Sequence, residues 1–554
     1  MRRIGIIAAA AAGVLLLVFL WHLTREEMSD PLVGQLRDRL QGAGAVSAAG
    51  TSPERLREPA VLKAFYSDRD FRPLWSSPKG LTPRVESFLQ VVRSSDQDGL
   101  RPQDYHLSRI DFLLSRGKKG KEPFSVARRL ELEMLLTDAF ILYGKHLLNG
   151  RVDPHAVYED WFNLPSQQKD DSLILAALST RDVGKAVESL RPSDAGYRNL
   201  RRGLALYTDI QEQGGWPSVP DGPKLKAGDR DRRVPLLRKR LALSGDLAAA
   251  STDGTDLFDE ELDKALRLFQ HRQGLLVDGV LSTRTLGELN VPVEKRIRQM
   301  RLNMERLRWL PRNLGDRYIL VNVAGFTLDV MEKGEPVLNM KIIVGKDEED
   351  QRTFLFAGNM TYLELNPYWN VPESITVNEL IPKVKKNPGY LASQGMRILD
   401  GWSENAREIP PGSIDWQSLD PEKFRYRLRQ DPGPKNPLGR IKFMFINEFS
   451  IYLHDTPTRS LFQRDRRTFS HGCIRIEKPI ALAAYLLKNE LEWSEETILA
   501  EIAKKKRQVI KLTRPVPVYI YYMTAWADSD GFLHFRKDVY RSDRVLEKAM
   551  GETS

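Results

Sequence analysis

The stretch FSHGCIRIEKP, Phe469 to Pro479, holds Cys473, the only cysteine among 554 residues. One thiol rules out a disulfide within the chain, and rules out zinc or iron–sulfur sites built from cysteine. Two readings remain: a small apolar residue in a core, or a reactive group. A cysteine nucleophile needs a base, because a free thiol has a pKa of about 8.5. It also needs donors for the oxyanion that forms on a carbonyl under attack. Two histidines are in range. His471 precedes Cys473 by two residues, and His454 closes the apolar run SIYLHDTP, 19 residues upstream. A base at one strand end and a nucleophile at the next is a plausible route to contact. Gly472 lets the backbone bend tightly, so that amides near Cys473 face the oxyanion.

The sequence on both sides of this stretch is strand-like. RYILVNVAGFTLDVMEKGEPVLNMKIIVG, from Arg317, contains three short β-rich runs with glycine-containing turns, and IKFMFINEFSIYLHD contains two more. CIRI, RQVIKLT and PVYIYYMTAW add strands, while IALAAYLLKN and SEETILAEIAKK read as helices. Many short strands at regular spacing predict a mostly antiparallel sandwich or barrel. Between Pro372 and Lys435 the strand pattern lapses. An insertion this long in a β domain is usually functional, and the expectation is a lid.

Upstream the texture is helical. TPRVESFLQVVRSS and RRLELEMLLTDAFILYGKHLLNG carry apolar residues at three- and four-residue spacing, with Gly150 as a helix stop. His106, His146 and His155 lack metal-ligand spacing and read as surface or core polar residues. Gly214 to Arg232 is rich in Gly, Pro and charge and reads as a linker. Val234 to Asn290 reads as a compact unit of three helices, the last capped by Ser282 or Thr283. VEKRIRQMRLNMERLRWLP is a long helix ending at Pro311 that joins this unit to the strands.

The expected organisation is α+β and multidomain. It comprises an N-terminal anchor or signal (1–30), a helical scaffold (53–232), a small three-helix unit (233–292), a connecting helix (293–316), a mostly β catalytic sandwich (317–525) with its insertion (372–435), and a C-terminal segment (526–554). Arg2 and Arg3 precede an uncharged run from Ile4 to Trp21. As a helix rising about 1.5 Å per residue this run spans roughly 27 Å, close to the hydrocarbon thickness of a bilayer. The absence of a small-x-small cleavage site favours an uncleaved anchor over a cleaved signal peptide, and either predicts export. The net charge of +10 suits a polyanionic neighbour without choosing one. The clusters RGKKGKEP and EIAKKKRQ read as solvated surface.

YLHDTP…RRTFSHGCIRIEKP closely resembles the active-site signature of the L,D-transpeptidases, the cysteine enzymes of peptidoglycan crosslinking. ELNPYWNVPESI, NPLGRIKFMFIN and YYMTAWADSDGFLHFRKDVY are similar to a large Gram-negative subgroup with a scaffold, a wall-binding unit and a capping insertion. The resemblance covers most of residues 55–545. It implies Cys473 as nucleophile and His454 as general base, with Ser470, His471 and Gly472 completing the motif. Arg475 stands where many members carry Asn; the alternatives are a contact to a substrate carboxylate and a structural salt bridge. Trp369, Tyr452 and Phe462 flank the motif strands, either lining the cleft or simply packing. Phe354, in RTF, stands where the family pattern has proline. What orients His454 stays open between Asp455 and a backbone carbonyl.

FQHRQGLLVDGVLSTRT resembles the peptidoglycan-binding domain of wall hydrolases through Phe269, Gln270, Gly274, Leu275, Asp278, Gly279 and Thr285. These residues either bind wall or only build the three-helix fold.

Together the resemblances imply a 3→3 crosslinking enzyme of the periplasm, held to the inner membrane. It would act on tetrapeptide stems as donor and acceptor through a Cys473 thioester, release D-alanine, and be acylated by carbapenems. They imply no metal, no cofactor and no nucleic acid, with other wall synthases as possible partners. Water as acceptor would make it an L,D-carboxypeptidase, and a lysine amine would make it a protein-attachment enzyme. A non-catalytic wall-binding scaffold is the alternative of another class. A zinc wall peptidase lacks its ligand spacing here.

Overall fold

The computed structural model describes residues 30–42, 55–118, 124–158, 161–162, 171–248, 251, 254–403, 405–488 and 493–551. The expected anchor, Ile4 to Trp21, lies outside the described residues. Among those described, no helix is long and apolar enough to cross a membrane.

The scaffold is built on one long helix, Val126–Asn149. Ser125 caps its start and Gly150, at φ 82°, ends it. Its run LEMLLTDAFILYG is apolar on nearly every side, so neighbours cover it all round. Arg84–Arg93, Ser172–Ser179 and Val183–Leu190 are among the helices sharing that core. A helix that sequence reading did not assign, Pro31–Gln41, also docks there through Leu32, Val33, Leu36 and Leu40. Asp30 caps it and forms a buried ion pair with Arg129.

The three-helix unit comprises Val234–Leu243, Glu260–Arg272 and Thr283–Leu289, and the last is capped by Ser282. Gly214–Arg232 is an ordered strap rather than a free linker. Val219 and Leu225 enter the unit's core, and Asn290 clips both polar groups of Val219, at 2.9 and 2.8 Å. The strap's Gly and Pro content concealed two apolar anchors. The buried Gln270 explains the quoted pattern. Its Oε1 accepts from the amides of Asp278 and Gly279, at 3.1 and 2.9 Å, and its Nε2 donates to Asp278 Oδ1 at 2.8 Å. These residues close the turn upon themselves, which is a fold-building role.

The connecting helix Val293–Trp309 is a buried strut. Arg308 donates to Tyr197 of the scaffold at 3.0 Å and pairs with Glu305 at 2.9 Å. Asn303 bonds Thr524 at 2.8 Å, and Leu302 and Trp309 enter the core of the β domain.

That domain contains β1 (Arg317–Asn322), β2 (Thr327–Glu332), β3 (Glu335–Gly345), β4 (Leu355–Leu365), β5 (Ile441–Phe445), β6 (Leu453–His454), β7 (Thr468–Ser470), β8 (Ile474–Ile476) and β9 (Gln508–Tyr521). The hydrogen-bonded order is β5-β6-β8-β3-β2-β1-β9-β4, and β4 pairs back onto β5, so the order closes. β7 pairs with β3 in parallel. Alternate residues such as Leu328, Val330, Ile342, Phe443, Leu453, Ile474 and Ile476 fill one continuous core.

The insertion after β4 is a small folded subdomain, not an irregular loop. Met396–Asp400 is its central strand, paired with Arg407–Ile409 and Arg427–Gln430, and Trp369–Asn370 lies outside the latter. Leu380, Ile381, Val384, Ile398, Trp416 and Leu428 form its own core. The C-terminal segment is equally fixed. Its hairpin Ala525–Ala527/Leu533–Phe535 packs on the connecting helix, and Arg272 of the three-helix unit donates to the Leu533 carbonyl at 2.8 Å.

Candidate active site

The site follows from strand register. β6 and β8 run parallel, with Leu453 opposite Ile474 and His454 opposite Arg475. Paired residues point to the same side of a sheet, and successive residues to opposite sides. Leu453 and Ile474 are fully buried in the domain core, so His454 and Arg475 project from the other face. One residue earlier on each strand, Tyr452 and Cys473 share that face with them. The Ile474 amide donates to the Tyr452 carbonyl at 3.1 Å, which extends the register to this pair. Lys442 lies opposite His454 on β5 and joins the same face.

His454 is buried, and its Nδ1 donates to the Asp455 carbonyl oxygen at 2.6 Å. That bond places the ring proton on Nδ1 and leaves Nε2 as the lone-pair nitrogen. Burial, with the Arg475 charge second, lowers its pKa to about 3. The Asp455 carboxylate takes no part. It accepts from the Arg440 amide at 3.0 Å and from Arg459 Nη1 at 3.2 Å. The open choice at His454 thus resolves to the carbonyl.

Cys473 is half-buried, with Sγ 3.8 Å from the Ser450 carbonyl. Burial pushes its thiol pKa up; hydrogen bonding from Tyr452 and the charges of Lys442 and Arg475 oppose that rise. Both shifts favour the uncharged forms of the two side chains. Ser470 ties the loop: its Oγ accepts from the Gly472 amide at 3.2 Å and donates to the Cys473 carbonyl at 2.6 Å. Gly472 has φ +105°, a conformation that side chains disfavour. With Ser470 occupying the Gly472 amide, the Cys473 N–H is left without an acceptor among the described residues.

His471 contacts a carboxylate from outside the motif. Its Nε2 lies 2.7 Å from Glu379 of the capping subdomain and joins that subdomain to the catalytic loop. Arg475 forms no ion pair among the described residues, and its buried Nε has no partner, which removes the structural salt-bridge reading. Tyr452 lies beneath Lys442, whose Nζ is 3.9 Å from the ring centroid. Trp369 pairs with Gln430 and packs on the core of the capping subdomain. Phe462 is 1% exposed, so it packs and does not line a cleft. Phe354 packs against Phe449 with the rings tilted, centroids 4.7 Å apart. Sequence reading missed Lys442 and Thr353. Strand parity around IKFMF would have placed Lys442 on the face of His454, whereas nothing local marked Thr353.

A thiol and a tautomer-fixed imidazole on one face of a closed β domain define a cysteine–histidine site. Residues 316–518 match the L,D-transpeptidase catalytic domain, residues 230–289 a family described as "Putative peptidoglycan binding domain", and residues 60–204 a scaffold domain. The likeness to the L,D-transpeptidase catalytic domain thus falls on the residues that build this site. A Haemophilus influenzae protein named "Putative L,D-transpeptidase" is 36% identical over 251 residues, 45% of this chain and 49% of that protein. The match therefore spans about half the length of that relative. The N-acetylmuramoyl-L-alanine amidase CwlM of Mycobacterium tuberculosis is 38% identical over 80 residues, 13% of this chain and 20% of that protein. The solved L,D-transpeptidase of Stackebrandtia nassauensis aligns with 55% of this chain and 97% of its own, at 15% identity and a TM-score of 0.23.

Proposed function

We propose that this chain is an L,D-transpeptidase that forms 3→3 crosslinks between peptidoglycan stem peptides. The observation that carries the reading is the parallel register that puts His454, Arg475, Tyr452 and Cys473 on one face. Nε2 of His454 takes the Cys473 proton as sulfur attacks the carbonyl between diaminopimelate and the terminal D-alanine of a donor tetrapeptide. The Cys473 N–H receives the oxyanion. Collapse breaks the C–N bond, and the imidazolium returns its proton to the D-alanine amine, which leaves. A thioester remains on Cys473. The side-chain amine of a second stem attacks it and gives its proton to His454; collapse breaks the C–S bond and the proton returns to sulfur. Arg475, which pairs with no carboxylate among the described residues, is suited to a stem carboxylate.

The three-helix unit would hold the enzyme to the wall, and residues 4–21 would hold it to the inner membrane as an uncleaved helix, with the rest in the periplasm. Carbapenems, as acylating carbonyl compounds, would capture the same thiol. Replacement of Cys473 by Ala should abolish crosslinking of purified muropeptides while binding to sacculi persists. Crosslinking that survives in Cys473→Ala would refute the reading.

A further inference from the structure

We propose that Tyr540, in the C-terminal segment, is a positioning residue for the peptide unit that receives the oxyanion. This role for Tyr540 rests on the reading that Cys473 attacks a carbonyl. The Gly472 carbonyl and the Cys473 N–H belong to one peptide group, and that group is planar. Whatever fixes the carbonyl fixes the N–H, aimed the opposite way.

Thr353 holds this carbonyl: its buried Oγ1 donates to Gly472 O at 2.7 Å and accepts from the Gly345 amide at 2.9 Å. Tyr540 holds Thr353. Its hydroxyl donates to the Gly345 carbonyl at 2.6 Å and accepts from the Thr353 amide at 3.3 Å. One phenol thus joins the end of β3 to the loop before β4, and the threonine between them sets the catalytic peptide. Tyr540 is fixed in turn. Its amide donates to the Tyr522 hydroxyl at 3.0 Å, and the two rings stack with centroids 5.9 Å apart. It lies beyond residue 518, where the match to the catalytic-domain family ends. A hydrogen bond to a peptide carbonyl also polarises the N–H of the same group and strengthens it as a donor.

The test uses the full-length chain in detergent and two reactions at the same thiol. Acylation by the carbapenem imipenem builds an oxyanion; alkylation by iodoacetamide displaces iodide from a saturated carbon and builds none. Tyr540→Phe should slow acylation by about tenfold or more and leave alkylation unchanged. Thr353→Val should show the same split, and Thr353→Ser should restore acylation. The threonine pair also decides the matter if Tyr540→Phe does not fold. Wild-type acylation in Tyr540→Phe, or an equal fall in both reactions, would overturn the proposal. Failure of the wild-type chain to be acylated at Cys473 would instead overturn the proposed function.

Discussion

The Nδ1 of His454 lies 2.6 Å from the backbone carbonyl oxygen of Asp455, the next residue in the chain. This one bond settles the tautomer, because a carbonyl only accepts and the ring nitrogen facing it must carry the proton. The other nitrogen, Nε2, is then left unprotonated. An orienting carbonyl brings no formal charge, so burial and Arg475 dominate and the imidazole stays neutral far into the acid range. In the proposed mechanism the site would start from two neutral partners and move the proton during attack.

The pH profile of acylation follows from this. With His454 lowered to about 3, nearly every molecule holds the base form above pH 5, and the raised thiol holds its proton through neutral pH. The second-order rate constant for carbapenem acylation should change by less than about threefold between pH 5 and 8. Stopped-flow absorbance measures it. An acid limb with a midpoint near 6.5 would show that the imidazole is unperturbed.

The same depression affects stability. The unfolded imidazole takes up a proton near pH 6.5, and the folded one not until about 3. Between those values the unfolded state binds more protons, so this contribution is complete above pH 6.5 and is lost as pH falls toward 3. Replacing His454 with Gln should flatten the stability profile there by up to about 1.4 kcal/mol per pH unit. Urea titrations at pH 4 and 7 measure the difference. His146 and His534, also depressed by burial, contribute equally to both proteins and cancel. Parallel profiles would contradict the assignment.

The Glu379–His471 contact, at 2.7 Å, links the capping subdomain to the catalytic loop. Both side chains are about one-third exposed, at 39% and 33%, so the pair contributes about 1 kcal/mol at most. Glu379→Gln should raise amide exchange across Thr376–Leu380 by roughly fivefold or less and leave exchange in β6 and β8 unchanged. Mass-detected hydrogen exchange reports it. Unaltered exchange at Thr376–Leu380 would show that the pair does not hold the subdomain.

Gln270 offers a test of the wall-binding role proposed for the three-helix unit. Its side chain satisfies the amides of Asp278 and Gly279 in the interior. Gln270→Ala should destabilise the unit by about 1–3 kcal/mol for each amide left without a partner. In the full chain, thermal unfolding should show this region melting early, with loss of sacculus binding following the melt. Loss of binding with an unchanged melt would instead make Gln270 a ligand contact.

Much of this arrangement could be read from the chain, for a physical reason. Strand alternation is a local property, so SIYLHD and HGCIRI already separate Leu453 and Ile474 from the reactive residues. What escaped was non-local or weakly patterned. Thr353 and Gly472 meet across 119 positions, and no local periodicity encodes that contact. The capping strands have two to five residues, with charged residues exposed in Arg407–Ile409 and Met396–Asp400, too few to show alternation. Val219 and Leu225 hid among Gly and Pro. Phe462 stayed open between cleft lining and packing, because its place beside the motif does not fix its direction; it packs inward beneath Arg459.

The most direct measurement is intact-mass spectrometry of the full-length chain in detergent, incubated with a carbapenem and separately with a disaccharide tetrapeptide. The account predicts one drug adduct, mapped to Cys473, and a crosslinked muropeptide dimer with D-alanine released. Tripeptide product without dimer would move the activity to an L,D-carboxypeptidase. No adduct, on a folded sample whose thiol still titrates, would contradict Cys473 as the nucleophile.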